Sequence, residues 1–203
     1  MKVYNENEID ALAEILKNDG VISVPTDTVY GICCRINSKK AYDKLVTLKN
    51  RPSNKSFPVM CLDKEQIKSI AILSSDAEKI IDRFMPGPIT IVLPKRKEAF
   101  SYINNAGERI SDELAVRMAP LKVLEELIRK IKTPIFLTSA NISGKDVCKS
   151  IESIKKTFPK LDGILSGNIS FNEPSTIVDC TKKDIIIQRT GPISEEEIIK
   201  IIK

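Results

Sequence analysis

The sequence predicts an α/β fold, an open, twisted, mixed sheet with helices packed against it. Three observations carry that prediction. Short apolar runs rich in β-branched residues alternate along the chain with segments whose apolar residues recur at helical spacing. Clusters of Pro, Gly and Ser fall at the ends of the apolar runs, where ligands bind in sheets of this kind. A chain of 203 residues, 42% hydrophobic and 29% charged, is long enough for a substantial core and has no low-complexity tract. No repeat or composition break divides it, so residues 1–203 are read as one domain.

Ile9, Leu12, Ala13, Ile15 and Leu16 give residues 6–18 the apolar side of an amphipathic helix, which stops at Asn18-Asp19-Gly20. Residues 21–24 follow as a short strand. The polar stretch Pro25-Thr26-Asp27-Thr28-Val29-Tyr30-Gly31 then leads to a second apolar run, Ile32-Cys33-Cys34. Ala41, Leu45, Val46 and Leu48 mark a helix that ends near Lys49. The basic stretch Lys49-Asn50-Arg51-Pro52-Ser53-Asn54-Lys55 comes next. Pro52 biases Arg51 toward extended backbone, so the stretch is read as a loop with Lys49 and Arg51 facing the same way. Residues 57–62 read as a buried strand that Pro58 pushes toward an edge or a start.

Residues 63–71 and 75–84 read as helices, the second capped by Ser75 or Asp76 and ended by Met85-Pro86-Gly87-Pro88. Residues 89–94 and 113–118 are strands, separated by a polar surface excursion from residue 95 to 107. In the second of them Arg117 points away from the side that carries Leu114 and Val116. A helix over 121–131 and a buried strand over 134–137 open into Thr138-Ser139-Ala140-Asn141-Ile142-Ser143-Gly144. Ser139 and Asn141 stand at alternate positions there, so both side chains face one ligand. A weaker helix over 150–158 leads to Gly163-Ile164-Leu165. Strands over 174–179 and 184–189, the turn Thr190-Gly191-Pro192 and a helix with the Ser194-Glu195-Glu196-Glu197 start complete the chain.

Composition excludes several functions. Histidine is absent, which removes histidine metal sites and every histidine-dependent triad or general base. No protein-held metal is expected. The cysteines Cys33, Cys34, Cys61, Cys148 and Cys180 form no C-x-x-C pair and mostly sit in apolar runs, as buried thiols of a reducing compartment do. The net charge, 32 − 27 = +5, permits an anionic partner without requiring nucleic acid. No signal peptide opens the chain and no apolar run approaches the ~20 residues of a membrane span, so a cytoplasmic protein with no membrane contact is expected. There is no Walker-type loop and no G-x-G-x-x-G, so a nucleotide site here is of another kind. Aromatic residues are 5% with no Trp, which counts against a non-catalytic RNA-binding module.

The segments VPTDTVYGI, KNRPSNKSFPVM, PGPITIVL, ELAVRMA, PIFLTSANISG, EPSTIVD and QRTGP run in order from residue 24 to residue 192. Together they resemble the YrdC-like family, the threonylcarbamoyl-AMP synthases, in its short, single-domain form. The resemblance implies that Lys49, Arg51, Ser139 and Asn141 are catalytic and line a positively charged cleft. It implies ATP contacts from Arg51, Lys55, Asn141 and Arg189, and threonine contacts from Thr28, Arg117 and Ser175. The implied reaction joins L-threonine, bicarbonate and ATP into threonylcarbamoyl-adenylate, with Mg²⁺ entering on ATP and pyrophosphate leaving. The implied partners are tRNA-modification proteins and tRNA, whose adenosine receives the threonylcarbamoyl group. Chemistry of this sort needs placement and charge neutralisation more than a side-chain nucleophile. The family often has a histidine where this chain has Met60, and a His-Pro where it reads Ala119-Pro120-Leu121. The alternative is a YciO-type paralogue that binds RNA or nucleotide with little synthase activity.

Overall fold

The computed structural model of the chain describes residues 1–51, 57–99, 112–169 and 174–203. Pro52 and Lys55, and most of the excursion expected after residue 95, lie outside the described residues. In chain order the elements are β1 Val3–Tyr4, a 3-10 turn Glu6–Glu8, α1 Ile9–Lys17, β2 Ile22–Val24, β3 Gly31–Arg35 and α2 Lys39–Lys49. Then come β4 Val59–Cys61, α3 Lys64–Ile70, α4 Ser75–Phe84, β5 Ile89–Pro94, β6 Glu113–Met118 and α5 Lys122–Ile131. The chain continues through β7 Ile135–Ser139, α6 Ile151–Thr157, β8 Gly163–Leu165, β9 Thr176–Asp179, β10 Ile186–Arg189 and α7 Glu195–Ile202.

The strands form one sheet in the order β1-β8-β2-β3-β7-β4-β6-β5-β9-β10. It is mixed, as expected: β1–β8, β2–β8, β4–β6 and β5–β9 are parallel, and the other neighbouring pairs are antiparallel. β1 is an addition to the predicted set. Two residues carry no readable period, and its place is set by pairing with β8. Side-chain caps start the helices where short polar residues precede apolar periods: Ser38 accepts from Ala41 N–H, Asp63 from Gln66 N–H and Ser194 from Glu197 N–H. For α4 the cap is Ser74, one position before the expected Ser75, and it accepts from Ala77 N–H at 3.2 Å.

Both faces of the sheet are packed, and period-two alternation sorts each strand between them. In β3, Ile32 and Cys34 join one apolar cluster and Cys33 the other; in β7, Phe136 is on the first side and Ile135 and Leu137 on the second. The first cluster takes in residues of α2, α3, α4, α6 and α7, and the second is built under α1 and α5. The second cluster draws on β2, β3, β4, β7 and β8 and has no member from β5, β6 or β9. On that face the helical cover stops partway across the sheet, and the cavity described next lies there.

Candidate active site

A cavity of about 240 Å³ is lined by residues of neighbouring strands and of the loops at their ends. Leu137 and Ser139 come from β7, Met60 from β4, Ala115 and Arg117 from β6, Thr90 from β5 and Ile177 from β9. The ladder explains why they meet: Met60 is in register with Arg117, Gly31 with Ser139, and Thr90 with Ile177. Arg117 is thus opposite to Leu114 and Val116, which belong to the first cluster, as the alternation predicted.

The loop between β2 and β3 forms one wall. Thr26 Oγ1 accepts the N–H groups of Thr28 and Val29 at 3.1 and 3.2 Å and donates to Val29 O at 2.7 Å. This side chain fixes a turn that the backbone alone would leave unsatisfied inside the protein. The turn carries Asp27, 5% exposed, to Arg117, whose Nη2 donates to both carboxylate oxygens at 2.7 and 2.8 Å. Nη2 also donates to Gly87 O at 2.9 Å, while Nη1 stands 3.5 Å from Thr28 Oγ1. The Nε–H of Arg117 is buried without a partner among the described residues. A guanidinium with one nitrogen anchored and others unsaturated, at a cavity wall, suits a carboxylate ligand.

The opposite wall comes from β5 and from the segments around β9 and β10. Arg189 donates through Nε and Nη2 to Ser175 O at 2.9 and 2.7 Å, and the hydroxyls of Ser175 and Thr90 are 2.7 Å apart. The turn after β10 is strapped down by Thr176 Oγ1, which accepts from Gly191 N–H and Ile193 N–H. A side chain at Gly191 would place its Cβ 2.5 Å from Pro174 O, so only glycine permits this approach. Burial, with Arg117's charge second, lowers the pKa of Arg189.

The basic stretch departs from expectation. α2 runs through Lys49, and Asn50 then takes the left-handed conformation, φ 47°. Asn50 N–H donates to Thr47 O and Arg51 N–H to Val46 O, closing the helix end. The reversal sends the two cations different ways, so they do not share the face of an extended loop. Arg51 reaches the cavity with its guanidinium 4.5 Å from the Phe57 ring centroid. Lys49 turns inward, 1% exposed, and donates to Ser139 O and to Asn141 Oδ1, the latter at 2.8 Å. Ser139 Oγ donates to the same Asn141 Oδ1 at 2.7 Å, and Asn141 Nδ2 donates to Lys145 O at 2.6 Å. Ser139 and Asn141 therefore converge on each other and on Lys49, whereas alternation alone predicted that both face a ligand. Burial, then the Arg51 charge, brings Lys49 down to about 7.

The profile of the Sua5/YciO/YrdC family, described as telomere recombination, matches residues 14–191. The chain belongs to that family. It is 33% identical over 213 residues to the putative threonylcarbamoyl-AMP synthase of Methanocaldococcus jannaschii, covering 98% of this chain and 96% of the relative. It is 31% identical to the threonylcarbamoyl-AMP synthase of Yersinia enterocolitica, covering 86% of this chain and 93% of that one. Its fold superimposes on the crystal structure of P. abyssi Sua5 complexed with L-threonine, with a TM-score of 0.90 and 29% identity. That match covers 100% of this chain and 61% of the Sua5 chain, so this chain spans under two thirds of that structure.

Within this Sua5/YciO/YrdC chain, six residues singled out in the sequence share this cavity: Thr28, Arg51, Arg117, Ser139, Ser175 and Arg189. Lys49 and Asn141 stand behind Ser139, outside its lining, and Lys55 lies outside the described residues. Sequence reasoning missed Asp27, Thr26 and Thr90. Thr90 carried a readable signal, a single hydroxyl inside the apolar run Ile89-Thr90-Ile91-Val92-Leu93. Asp27 stood in the polar stretch Pro25-Thr26-Asp27-Thr28 with a hydroxyl on either side, and no partner for its carboxylate is readable there. The apolar part of the floor, Met60, Leu137 and Ile177, is indistinguishable from core by residue type. No group of three or more Cys, Asp and Glu able to hold a metal occurs among the described residues, and both oxygens of Asp27 are taken by Arg117. No helix among the described residues is long and apolar enough to cross a membrane.

Proposed function

We propose that this protein is an L-threonylcarbamoyladenylate synthase, which forms threonylcarbamoyl-AMP and pyrophosphate from L-threonine, bicarbonate and ATP. The observation that carries the reading is the cavity in which Thr28, Arg117 and Ser175 meet Arg51, Ser139 and Arg189. The names of the two synthase relatives and the L-threonine complex of Sua5 support it. Threonine's carboxylate pairs with Arg117, whose orientation the buried Asp27 holds. Bicarbonate gives up hydroxide, which leaves as water with the proton that the amine sheds, and the amine bonds to the carbon dioxide so formed. The resulting carbamate oxygen attacks the α-phosphorus of ATP. The bond from that phosphorus to the bridging oxygen breaks, and pyrophosphate departs with the electron pair.

No side-chain nucleophile enters this sequence. Arg51 and Arg189, with Lys55 four positions after Arg51 in the sequence, neutralise charge on the phosphates, and the arginines add a planar fork that a lysine lacks. Mg²⁺ would enter with the nucleotide and offset phosphate charge in this scheme, since the Asp27 carboxylate beside the cavity is spent on Arg117. The product carries an activated acyl group, and its acceptor is an adenosine of tRNA, reached with the help of tRNA-modification proteins.

Incubation with threonine, bicarbonate and Mg-ATP, analysed by mass spectrometry, tests the proposal. The adenylate is expected only when all three are present. Pyrophosphate release indifferent to threonine would instead mark a paralogue that handles nucleotide without making this product.

A further inference from the structure

We propose that Lys49 is a positioning residue whose ammonium ties the loop after β7 to the C-terminus of α2, and so fixes Ser139 and Arg51 at the cavity. The inference rests on the synthase reading only for its kinetic consequence. Lys49 is 1% exposed and absent from the cavity lining, whereas Arg51 and Ser139 both belong to it. Three bonds join the two segments: Lys49 Nζ donates to Ser139 O and to Asn141 Oδ1, and Ser143 N–H donates to Lys49 O at 2.9 Å. Asn141 stands between them. Its Oδ1 accepts from Lys49 and from Ser139 Oγ, and its Nδ2 holds Lys145 O. The hydroxyl of Ser139 thereby loses its rotational freedom, with its proton committed to Asn141 and its lone pairs left for a donor at the cavity.

Burying an ammonium is unfavourable unless its hydrogens find good acceptors. Here the acceptors are a backbone carbonyl and a carboxamide, from a loop that a neutral side chain would hold less firmly. The titratable groups that act on the ammonium are Arg51 and Cys148, and its hydrogen-bond acceptors, Ser139 O and Asn141 Oδ1, are both uncharged. The charge is therefore used structurally, at a point two residues from the cation that faces substrate.

A double-mutant cycle with Lys49→Met and Asn141→Ala decides between positioning and direct substrate contact. If Lys49 acts through Asn141, each single variant loses ~10-fold or more in kcat/KM for ATP, and the double variant stays within ~3-fold of the worse single. Multiplying losses, ~100-fold or more in the double, would show that Lys49 touches substrate on its own and would overturn the proposal. Hydrogen–deuterium exchange supplies a readout that needs no substrate. Lys49→Met is expected to speed exchange across residues 140–149, and Asn141→Ala across residues 46–51, with β5 and β9 unchanged. Unchanged exchange in both segments would also overturn it. If Lys49→Met does not fold, exchange at residues 46–51 in Asn141→Ala decides alone. A wild-type protein that makes no adenylate would sink the synthase reading while leaving the exchange test intact.

Discussion

Arg117 is clamped by Asp27, 90 residues earlier in the chain, through Nη2 contacts of 2.7 and 2.8 Å to both carboxylate oxygens, in a setting where neither side chain is more than 10% exposed. Removing one partner of a buried pair leaves an uncompensated charge, which costs about 3–5 kcal/mol. Asp27→Ala is expected to lower stability on that scale in urea unfolding and to raise KM for threonine. Adding Arg117→Met should recover much of the stability and none of the threonine binding. A double variant as unstable as Asp27→Ala would mean that the pair is not what holds this wall.

Arg51 is expected to be the main cation for the reacting phosphates. Arg51→Lys keeps charge and loses the fork, so kcat/KM should fall ~10-fold, and Arg51→Ala should fall ~100-fold or more. Because the guanidinium also lies over Phe57 at 4.5 Å, Arg51→Ala should cost ~0.5–2 kcal/mol of stability, a fall of several degrees in Tm. Near wild-type turnover in Arg51→Ala, measured by pyrophosphate release, would remove Arg51 from the mechanism.

Lys49 gives stability an unusual pH dependence. Its folded-state pKa, about 7, lies below the ordinary 10.5 of the unfolded chain. Between those values the unfolded state binds more protons, so this group makes the protein more stable as pH rises from about 7 toward 10.5. The slope approaches ~1.4 kcal/mol per pH unit at most. Guanidinium unfolding at pH 7 and pH 9 should show wild type gaining on Lys49→Met by about 2 kcal/mol. Activity is expected to move the other way, since the tie is stronger with a charged donor. Parallel stability curves for the two proteins would contradict this.

Cys33, Cys34, Cys61 and Cys180 are all pushed up by burial, Cys180 to about 12. These thiols should resist a chromogenic disulfide reagent in the native protein and react at once after denaturation. The unfolded thiols ionise first, so their contribution to stability is intact below about pH 9 and is lost above it. Rapid native labelling of any of the four would show that the sheet opens locally.

Helix and strand identities were legible from the chain because they depend on spacing over a few residues. The apolar period of α1, the alternation Leu114-Ala115-Val116-Arg117 and the Ser-x-x-Glu start of α7 each encode their element locally. The set of segments from Pro25 to Pro192 likewise marked stretches whose residues meet at one cavity. Tertiary structure alone decided what those residues do. Lys49 and Arg51 read as twin loop cations, yet one more helical residue and a left-handed Asn50 send the first into the interior and the second to the cavity. Asp27 stood in a polar stretch with no readable partner, and only the folded sheet brings it to Arg117. Strand order makes the difference: β6 lies between β4 and β5, and β9 beside β5, although the chain visits them far apart. Local periodicity fixes which face a side chain takes, and only strand pairing fixes which other side chains share that face with it.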